Sequence, residues 1–140
     1  MTHFYDELEK EGIHIDIVSP KGGKVPIDGR SLGRFTLDKA SKKRYEDREF
    51  MALLEDTKPL STVDWRDFDI LYFAGGHGAM WDFSDNGELH TLTRKMYEDG
   101  KIISAVCHGV AGNSRLIDEK RLLMSRMFTV WQLNYQEALS

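Results

Sequence analysis

The chain has 140 residues, of which 41% are hydrophobic and 30% charged, as in an ordinary globular protein with one modest core. Its net charge of -4 argues against nucleic acid or an anionic membrane as the main partner, and no apolar run approaches the roughly 20 residues that span a bilayer. The single cysteine excludes an internal disulfide, and the acidic start MTHFYDELEKEG is unlike a secretory signal, so we expect a cytoplasmic protein with a free thiol.

The first half of the chain predicts a helix, a strand and a second helix. Apolar residues on one side of residues 2–11 indicate an amphipathic helix, and the alternation over residues 13–18 indicates a strand. Turn-forming residues occupy positions 19–23. Apolar anchors among many charges predict a helix over residues 39–56, which Pro59 would end.

The second half predicts two buried strands around a helix. Residues 68–74 and 101–106 are nearly all apolar, as expected of parallel strands that are covered on both faces. Between them, Asp85 or Asn86 can cap a helix that stops at Gly100. Alternating helices and strands are typical of parallel βαβ units. The pattern weakens after residue 112, and we expect a single domain over residues 1–140 in which 113–140 is not assigned.

The apolar strand 101–106 ends in the pentapeptide AVCHG. Ala105, Cys107 and Gly109 give the spacing small-x-nucleophile-x-Gly, which is the strand-to-helix elbow of serine hydrolases. Such a turn would project the thiol from a strained backbone, and a helix starting near residue 109 would direct its amides towards the sulfur and favour the thiolate. His108 could exchange a proton with the sulfur or a substrate. The alternative is an inert, small core cysteine.

A glycine loop, Gly75-Gly76-His77-Gly78, ends the strand over residues 68–74. Because the carboxyl ends of neighbouring parallel strands lie side by side, we expect this loop beside Cys107. The amide of Gly76 or His77, together with that of His108, could hold an oxyanion. A plain turn is the alternative. The loop has neither the G-x-G-x-x-G spacing of dinucleotide sites nor the lysine of a P-loop.

The histidines do not predict a metal site. None are spaced i,i+4 and no second cysteine is present, so we expect neither a metal nor a cofactor. Two of them, His14 and His90, are interpreted as ordinary surface or packing residues. The five histidines are His3, His14, His77, His90 and His108.

Three segments together resemble the DJ-1/PfpI superfamily, also called ThiJ/PfpI or class I glutamine amidotransferase-like. They are VSPKGGKVPID, DFDILYFAGGHGAMWDF and GKIISAVCHGVAG. Within the superfamily they are similar to the Hsp31-like branch of glutathione-independent glyoxalases and stress proteins, over roughly residues 4–112. The resemblance implies a flavodoxin-like three-layer α/β sandwich with a mostly parallel sheet, a reactive cysteine and a homodimer.

The resemblance also implies a chemistry. Cys107 would be the nucleophile and His108 its adjacent histidine, with Gly75, Gly76 and the following amide as the oxyanion cradle. The residues expected to bind the oxyanion or substrate are Gly75, Gly76, His77 and Gly109. Such an enzyme, a glyoxalase III-type lyase or deglycase, converts a small-molecule 2-oxoaldehyde such as methylglyoxal to a 2-hydroxy acid without metal or glutathione. The alternatives within the same fold are a non-catalytic holdase chaperone and a cysteine redox sensor.

The chain also departs from the family pattern. Family members begin with an additional strand and a glutamate that hydrogen-bonds the cysteine, so we expect this chain to be truncated at both ends relative to them. The family's histidine usually has an acidic partner after a Phe-Thr turn. Phe128-Thr129 resembles that turn but no acid follows it directly, and Glu137 is the candidate for this third member.

Overall fold

A computed structural model describes residues 2–27, 29, 33 and 38–113. Helices in these ranges are α1 (Thr2–Lys10), α2 (Lys39–Glu46), α3 (Arg48–Glu55), α4 (Ala79–Asp82) and α5 (Gly87–Glu98). Strands are β1 (Val18–Ser19), β2 (Lys58–Pro59), β3 (Ile70–Phe73) and β4 (Ile102–Ala105), and 3-10 helices cover Leu60–Thr62, Trp65–Asp67 and Cys107–Asn113. No helix within the described ranges is both long and apolar enough to cross a bilayer.

The chain divides into two compact units, Met1–Asp64 and Trp65–Ser140. In the first unit, Arg44 of α2 connects three helices. Its guanidinium donates to Asp6 and Glu9 of α1 and lies 5.6 Å from the centre of the Phe50 ring on α3. The hydrogen bonds to Glu9 and Asp6 raise the pKa of Arg44 above its ordinary value. The single-domain prediction is not tested by this division.

The helix predicted over residues 39–56 is wrong at one position, because it is broken at Asp47. Asp47 has an extended backbone, with φ -77° and ψ 113°, and its carboxylate accepts the amides of Glu49 and Phe50 at 2.9 and 3.3 Å. An aspartate in this conformation caps a new helix, so α3 begins at Arg48. Asp38 caps α2 in the same way, and the Ser41 amide that it accepts at 2.8 Å lowers the pKa of Asp38.

The strands of the first unit are shorter than predicted. Of residues 13–18 only Val18 lies in a strand, β1, which pairs in parallel with β2. Pro59 in β2 has no amide to donate, which limits this ladder. Side chains support the pair, since the Ser19 and Thr57 hydroxyls lie 2.7 Å apart and the Thr57 hydroxyl donates to the Gly23 carbonyl at 2.7 Å.

The second unit confirms the predicted pair of parallel strands. β3 and β4 are neighbours, in a register that runs from Ile70 opposite Ile102 to Phe73 opposite Ala105. Both are shorter than predicted, and β4 is less covered than its apolar sequence suggests, since Ile102 is 59% exposed. The predicted helix between them is α5, capped by the Asn86 side chain, which accepts the Leu89 amide at 3.0 Å.

The core of the second unit is formed by buried side chains of β3, α4 and α5, and α5 packs against β4 and the 3-10 helix that follows it. Phe73 packs edge-on against Phe83, with ring centres 5.6 Å apart. His90 is buried and donates from Nε2 to the Phe83 carbonyl at 2.9 Å, in agreement with its interpretation as a packing residue. The other buried apolar side chains of this unit are Ala79, Leu89, Leu92 and Met96.

Lys101, immediately before β4, contacts the 3-10 helix Trp65–Asp67. Its ammonium donates to the carbonyls of Trp65, Arg66 and Phe68 at 3.1, 3.0 and 2.6 Å, and lies 5.4 Å from the centre of the Trp65 ring. A single ammonium group thus donates to three backbone carbonyls, two within this 3-10 helix and one in the residue after it.

We predict that Lys101→Met lowers the free energy of unfolding by about 1 to 3 kcal/mol, because the aliphatic stem is kept while the charged donor to three carbonyls is lost. Urea denaturation measures the change. The control Lys95→Met, at an exposed position on α5, should stay within about 0.5 kcal/mol of the parent. Equal stability of the two variants would contradict the anchoring role of Lys101.

Candidate active site

The carboxyl ends of β3 and β4 bring the glycine loop against Cys107, as the sequence predicts. A Cβ atom at Gly75 would lie 2.8 Å from the Val106 carbonyl oxygen and 2.9 Å from the Cys107 Cβ. Real Cβ atoms do not approach so closely, so only glycine permits this contact between the two turns. Gly76 follows with φ 130°, a conformation that L side chains rarely adopt.

Cys107 has the strained backbone of a nucleophile elbow. Its φ is 51°, and it is the one non-glycine residue with positive φ among those described. This left-handed conformation costs a residue with a Cβ about 1 to 2 kcal/mol. The Cys107 side chain is exposed, so the interpretation as a sealed core cysteine is wrong.

Gly109 is the second position of the elbow where a side chain cannot fit. A Cβ there would lie 2.4 Å from the Phe73 carbonyl oxygen and 3.0 Å from that of Ala74. The helix after the elbow begins earlier than predicted: it is a 3-10 helix that starts at Cys107 itself, rather than a helix starting near residue 109. The sulfur therefore belongs to the first residue of this helix instead of facing a helix that begins beyond it.

The thiol has a proton acceptor within reach. Cys107 Sγ lies 3.3 Å from His108 Nδ1, a distance at which the thiol can donate to the imidazole or an imidazolium can donate to the thiolate. His108 is half-buried beside the exposed sulfur. The two residues are adjacent in sequence, so the same turn positions both.

The side chain of His77 makes a ring contact that the sequence did not predict. Its imidazole lies against that of His108, with ring centres 5.0 Å apart and an interplanar angle of 34°. The sequence assigned His77 only a backbone amide for the oxyanion cradle. The histidine at this position of the loop was a visible signal, but its ring contact depends on how the two strand ends meet.

Three of the predicted oxyanion donors stay available. In the described part of the chain, the amides of Gly76, His77 and His108 donate to no backbone acceptor. The Gly109 amide donates to the Val106 carbonyl at 2.8 Å, which closes the turn. Three amides from two adjacent turns are therefore without a backbone acceptor in the described ranges, while Gly109 shapes the backbone between them.

The acidic member of the predicted site, Glu137, lies outside the described residues. Within the ranges that are described, no carboxylate forms an ion pair with His77 or His108. Over the same ranges, no group of three His, Cys, Asp or Glu side chains is arranged to hold a metal ion. The described site is thus a thiol, two imidazoles and a set of free amides.

A strained cysteine between a parallel β-strand and a helix, beside a glycine loop, defines a parallel α/β protein with a nucleophile elbow. The DJ-1/PfpI family model matches residues 1–138, and the chain belongs to the DJ-1/PfpI family. The fold is accordingly the flavodoxin-like α/β architecture of that family, as the sequence resemblance implies.

Curated relatives are glutathione-independent glyoxalases. The glutathione-independent glyoxalase hsp3101 of Schizosaccharomyces pombe is 31% identical over 107 residues, which are 75% of this chain and 43% of that protein. Glutathione-independent glyoxalase HSP31 of Saccharomyces cerevisiae is 30% identical over 120 residues, 84% of this chain and 50% of that protein. The chain spans about half the length of the curated relatives it matches.

Solved structures agree with the Hsp31-like branch. Rapid Encystment Protein 24 KDa of Francisella tularensis superposes with a TM-score of 0.73 at 37% identity, covering 79% of this chain and 48% of that one. Glyoxalase III of Candida albicans superposes with a TM-score of 0.70 at 29% identity, covering 79% of this chain and 46% of that one.

We predict that Gly109→Ala lowers the free energy of unfolding by about 2 to 3 kcal/mol, because the added methyl overlaps the Phe73 carbonyl. Thermal or urea unfolding measures the change. Gly78→Ala is the matched control: it lies in the neighbouring loop, has φ -58° and has open space around its Cβ. If Gly109→Ala loses no more unfolding free energy than Gly78→Ala, the elbow tolerates a side chain at Gly109.

We predict that Cys107→Gly is more stable than Cys107→Ala by about 0.5 to 1 kcal/mol. Both variants lack the thiol, but only glycine relieves the left-handed backbone, and the gain is reduced by the greater freedom of glycine in the unfolded chain. Urea denaturation of the two variants measures the difference. A more stable Cys107→Ala would mean that the positive φ at this residue is not strained.

Proposed function

We propose that this chain carries the catalytic cysteine of a glutathione-independent glyoxalase, which converts 2-oxoaldehydes such as methylglyoxal to 2-hydroxy acids. One observation carries the proposal: the exposed Cys107 sulfur, on a strained bend, lies 3.3 Å from His108 Nδ1. Relatives named glutathione-independent glyoxalases support the substrate class. The predicted homodimer and the cytoplasmic location stay predictions.

In the first step the thiol adds to the aldehyde. His108 Nδ1 takes the thiol proton, and the sulfur forms a bond to the aldehyde carbon while the carbonyl π electrons move to the oxygen. The amides of Gly76, His77 and His108 are the groups that can donate to this alkoxide. Return of the proton to the alkoxide gives a hemithioacetal.

In the second step a proton moves between adjacent carbons. His108 removes the proton from the hemithioacetal carbon, and the electrons form an enediol with the neighbouring ketone carbon, whose oxygen is protonated. Delivery of a proton to that second carbon, with loss of the hydroxyl proton from the first, leaves a thioester at the first carbon. The aldehyde carbon is thereby oxidised and the ketone carbon reduced within one molecule, so no external oxidant or reductant is needed.

In the last step water hydrolyses the thioester. Its oxygen bonds to the acyl carbon, the carbon–sulfur bond breaks and the thiol recovers its proton. The product is the 2-hydroxy acid, and the balance is one aldehyde and one water consumed. An exposed sulfur is suited to this step because water must reach the acyl carbon.

We predict that Cys107→Ala abolishes methylglyoxal consumption and that His108→Ala slows it by about 10² to 10⁴-fold, the usual contribution of a general base. Disappearance of methylglyoxal and formation of lactate, followed without added glutathione, measure both. His14→Ala replaces an exposed histidine of the first unit and should retain the parent rate. If Cys107→Ala consumes methylglyoxal as fast as the parent, the proposed function is wrong.

Exposed apolar side chains favour a second candidate, the holdase. Trp81 on α4 is 86% exposed and Ile102 on β4 is 59% exposed, and such side chains can contact an unfolded client. A holdase would suppress aggregation of a heat-denatured client equally well after Cys107→Ala. It would lose that effect on replacement of Trp81 by Ser, while the glyoxalase reaction would not depend on a client.

A further inference from the structure

Three side chains of the site form a row: the Cys107 thiol, the His108 imidazole and the His77 imidazole. Sγ contacts His108 Nδ1 at 3.3 Å, and the His108 ring contacts the His77 ring with centres 5.0 Å apart and the planes tilted by 34°. The row joins two turns, since Cys107 and His108 follow β4 whereas His77 follows β3. The ring contact is therefore made between segments about thirty positions apart in the chain.

The backbone of His77 is anchored. Its carbonyl accepts the Met80 amide at 3.2 Å, and the neighbouring Gly76 carbonyl accepts the Ala79 amide at 3.2 Å. These bonds form the first turn leading into α4, while Gly75 is in contact with the Cys107 Cβ position. His77 thus projects from a backbone that is fixed on both sides.

The orientation of His108 needs such support. In catalytic and metal-binding histidines, a hydrogen bond at the second ring nitrogen normally fixes the ring. Throughout the described ranges, His108 has a polar side-chain contact at Nδ1 alone, with the Cys107 sulfur, and its second contact is the His77 ring. Among the described residues, the ring contact with His77 is the interaction that can limit rotation of the His108 ring away from the sulfur.

We propose that His77 is a positioning residue, which holds the His108 imidazole against the Cys107 thiol through contact between the two imidazole rings and so sets the reactivity of that thiol. Its importance for turnover rests on the proposed glyoxalase function. Its effect on the thiol does not, because the rate at which a thiol is alkylated depends on transfer of its proton and is measured without an aldehyde substrate.

The test is alkylation of Cys107 by iodoacetamide at fixed neutral pH. The chain has one cysteine, so the label reports this thiol alone. Aromatic pairs of this geometry imply a rate for His77→Ala about three- to tenfold below that of the parent. His77→Phe preserves a flat ring, so its rate should stay within about twofold of the parent. His14→Ala, an exposed histidine away from the row, should leave the rate unchanged.

The same substitution in the His108→Ala variant distinguishes positioning of His108 from general destabilisation of the fold. When His108 is already replaced by Ala, His77→Ala should have no further effect on alkylation, because no ring is left to position. A parent-like rate for His77→Ala, or an equal loss in the His108→Ala background, would overturn the proposal. So would a His77→Phe protein that is alkylated as slowly as His77→Ala, since a flat ring at position 77 would then not be enough to hold His108 against the thiol.

Failure of the proposed function would give a different result. A parent chain that does not consume methylglyoxal, but whose thiol reacts more slowly after His77→Ala, would contradict the glyoxalase and support the positioning role. A parent chain that turns over methylglyoxal, with alkylation insensitive to His77→Ala, would support the glyoxalase and contradict the positioning role.

Discussion

The carbonyl of Phe73, at the end of β3, is the group around which the candidate site is built. It accepts the Val106 amide at 3.2 Å, which continues the parallel pairing one residue beyond β4. The same oxygen leaves no space for a Cβ at Gly109, and the Phe73 ring leaves none at Gly112, where a Cβ would lie 2.4 Å from Cε1. Both strand ends and the helix after β4 therefore pack around Phe73. The chain has to turn sharply at Cys107 to fit into this space.

Side-chain packing beneath the elbow holds the strained backbone of Cys107 in place. Phe73 is buried, its ring contacts Phe83, and the Phe83 carbonyl is held by His90. This sequence of contacts links the elbow to α5, the longest helix among the described residues. A conformation that costs about 1 to 2 kcal/mol at Cys107 can persist when its surroundings are fixed in this way. The strain keeps the sulfur outside the core, where a substrate can reach it.

The groups of the candidate site come from two turns, one after β4 and one after β3. Cys107 and His108 are neighbours in the chain, so one turn positions the thiol and the imidazole together. The amides of Gly76 and His77, which are the predicted oxyanion donors, and the ring that contacts His108 come from the other strand end. Parallel pairing of β3 with β4, together with packing of α4 on the 3-10 helix after β4, brings these two turns into contact.

The sequence by itself determined the features that depend on local chemistry. These are the elbow around Cys107, the glycines that permit it, a helix cap at Asp85 or Asn86 and the parallel order of β3 and β4, which follow from residue type, spacing and apolar runs. Asp47 shows the limit of that reasoning, because its capping side chain broke a helix that the apolar pattern continued. Only the tertiary structure decided the ring contact between His77 and His108 and the burial of His90. Both depend on distances between residues far apart in the chain, which no local pattern of side chains encodes.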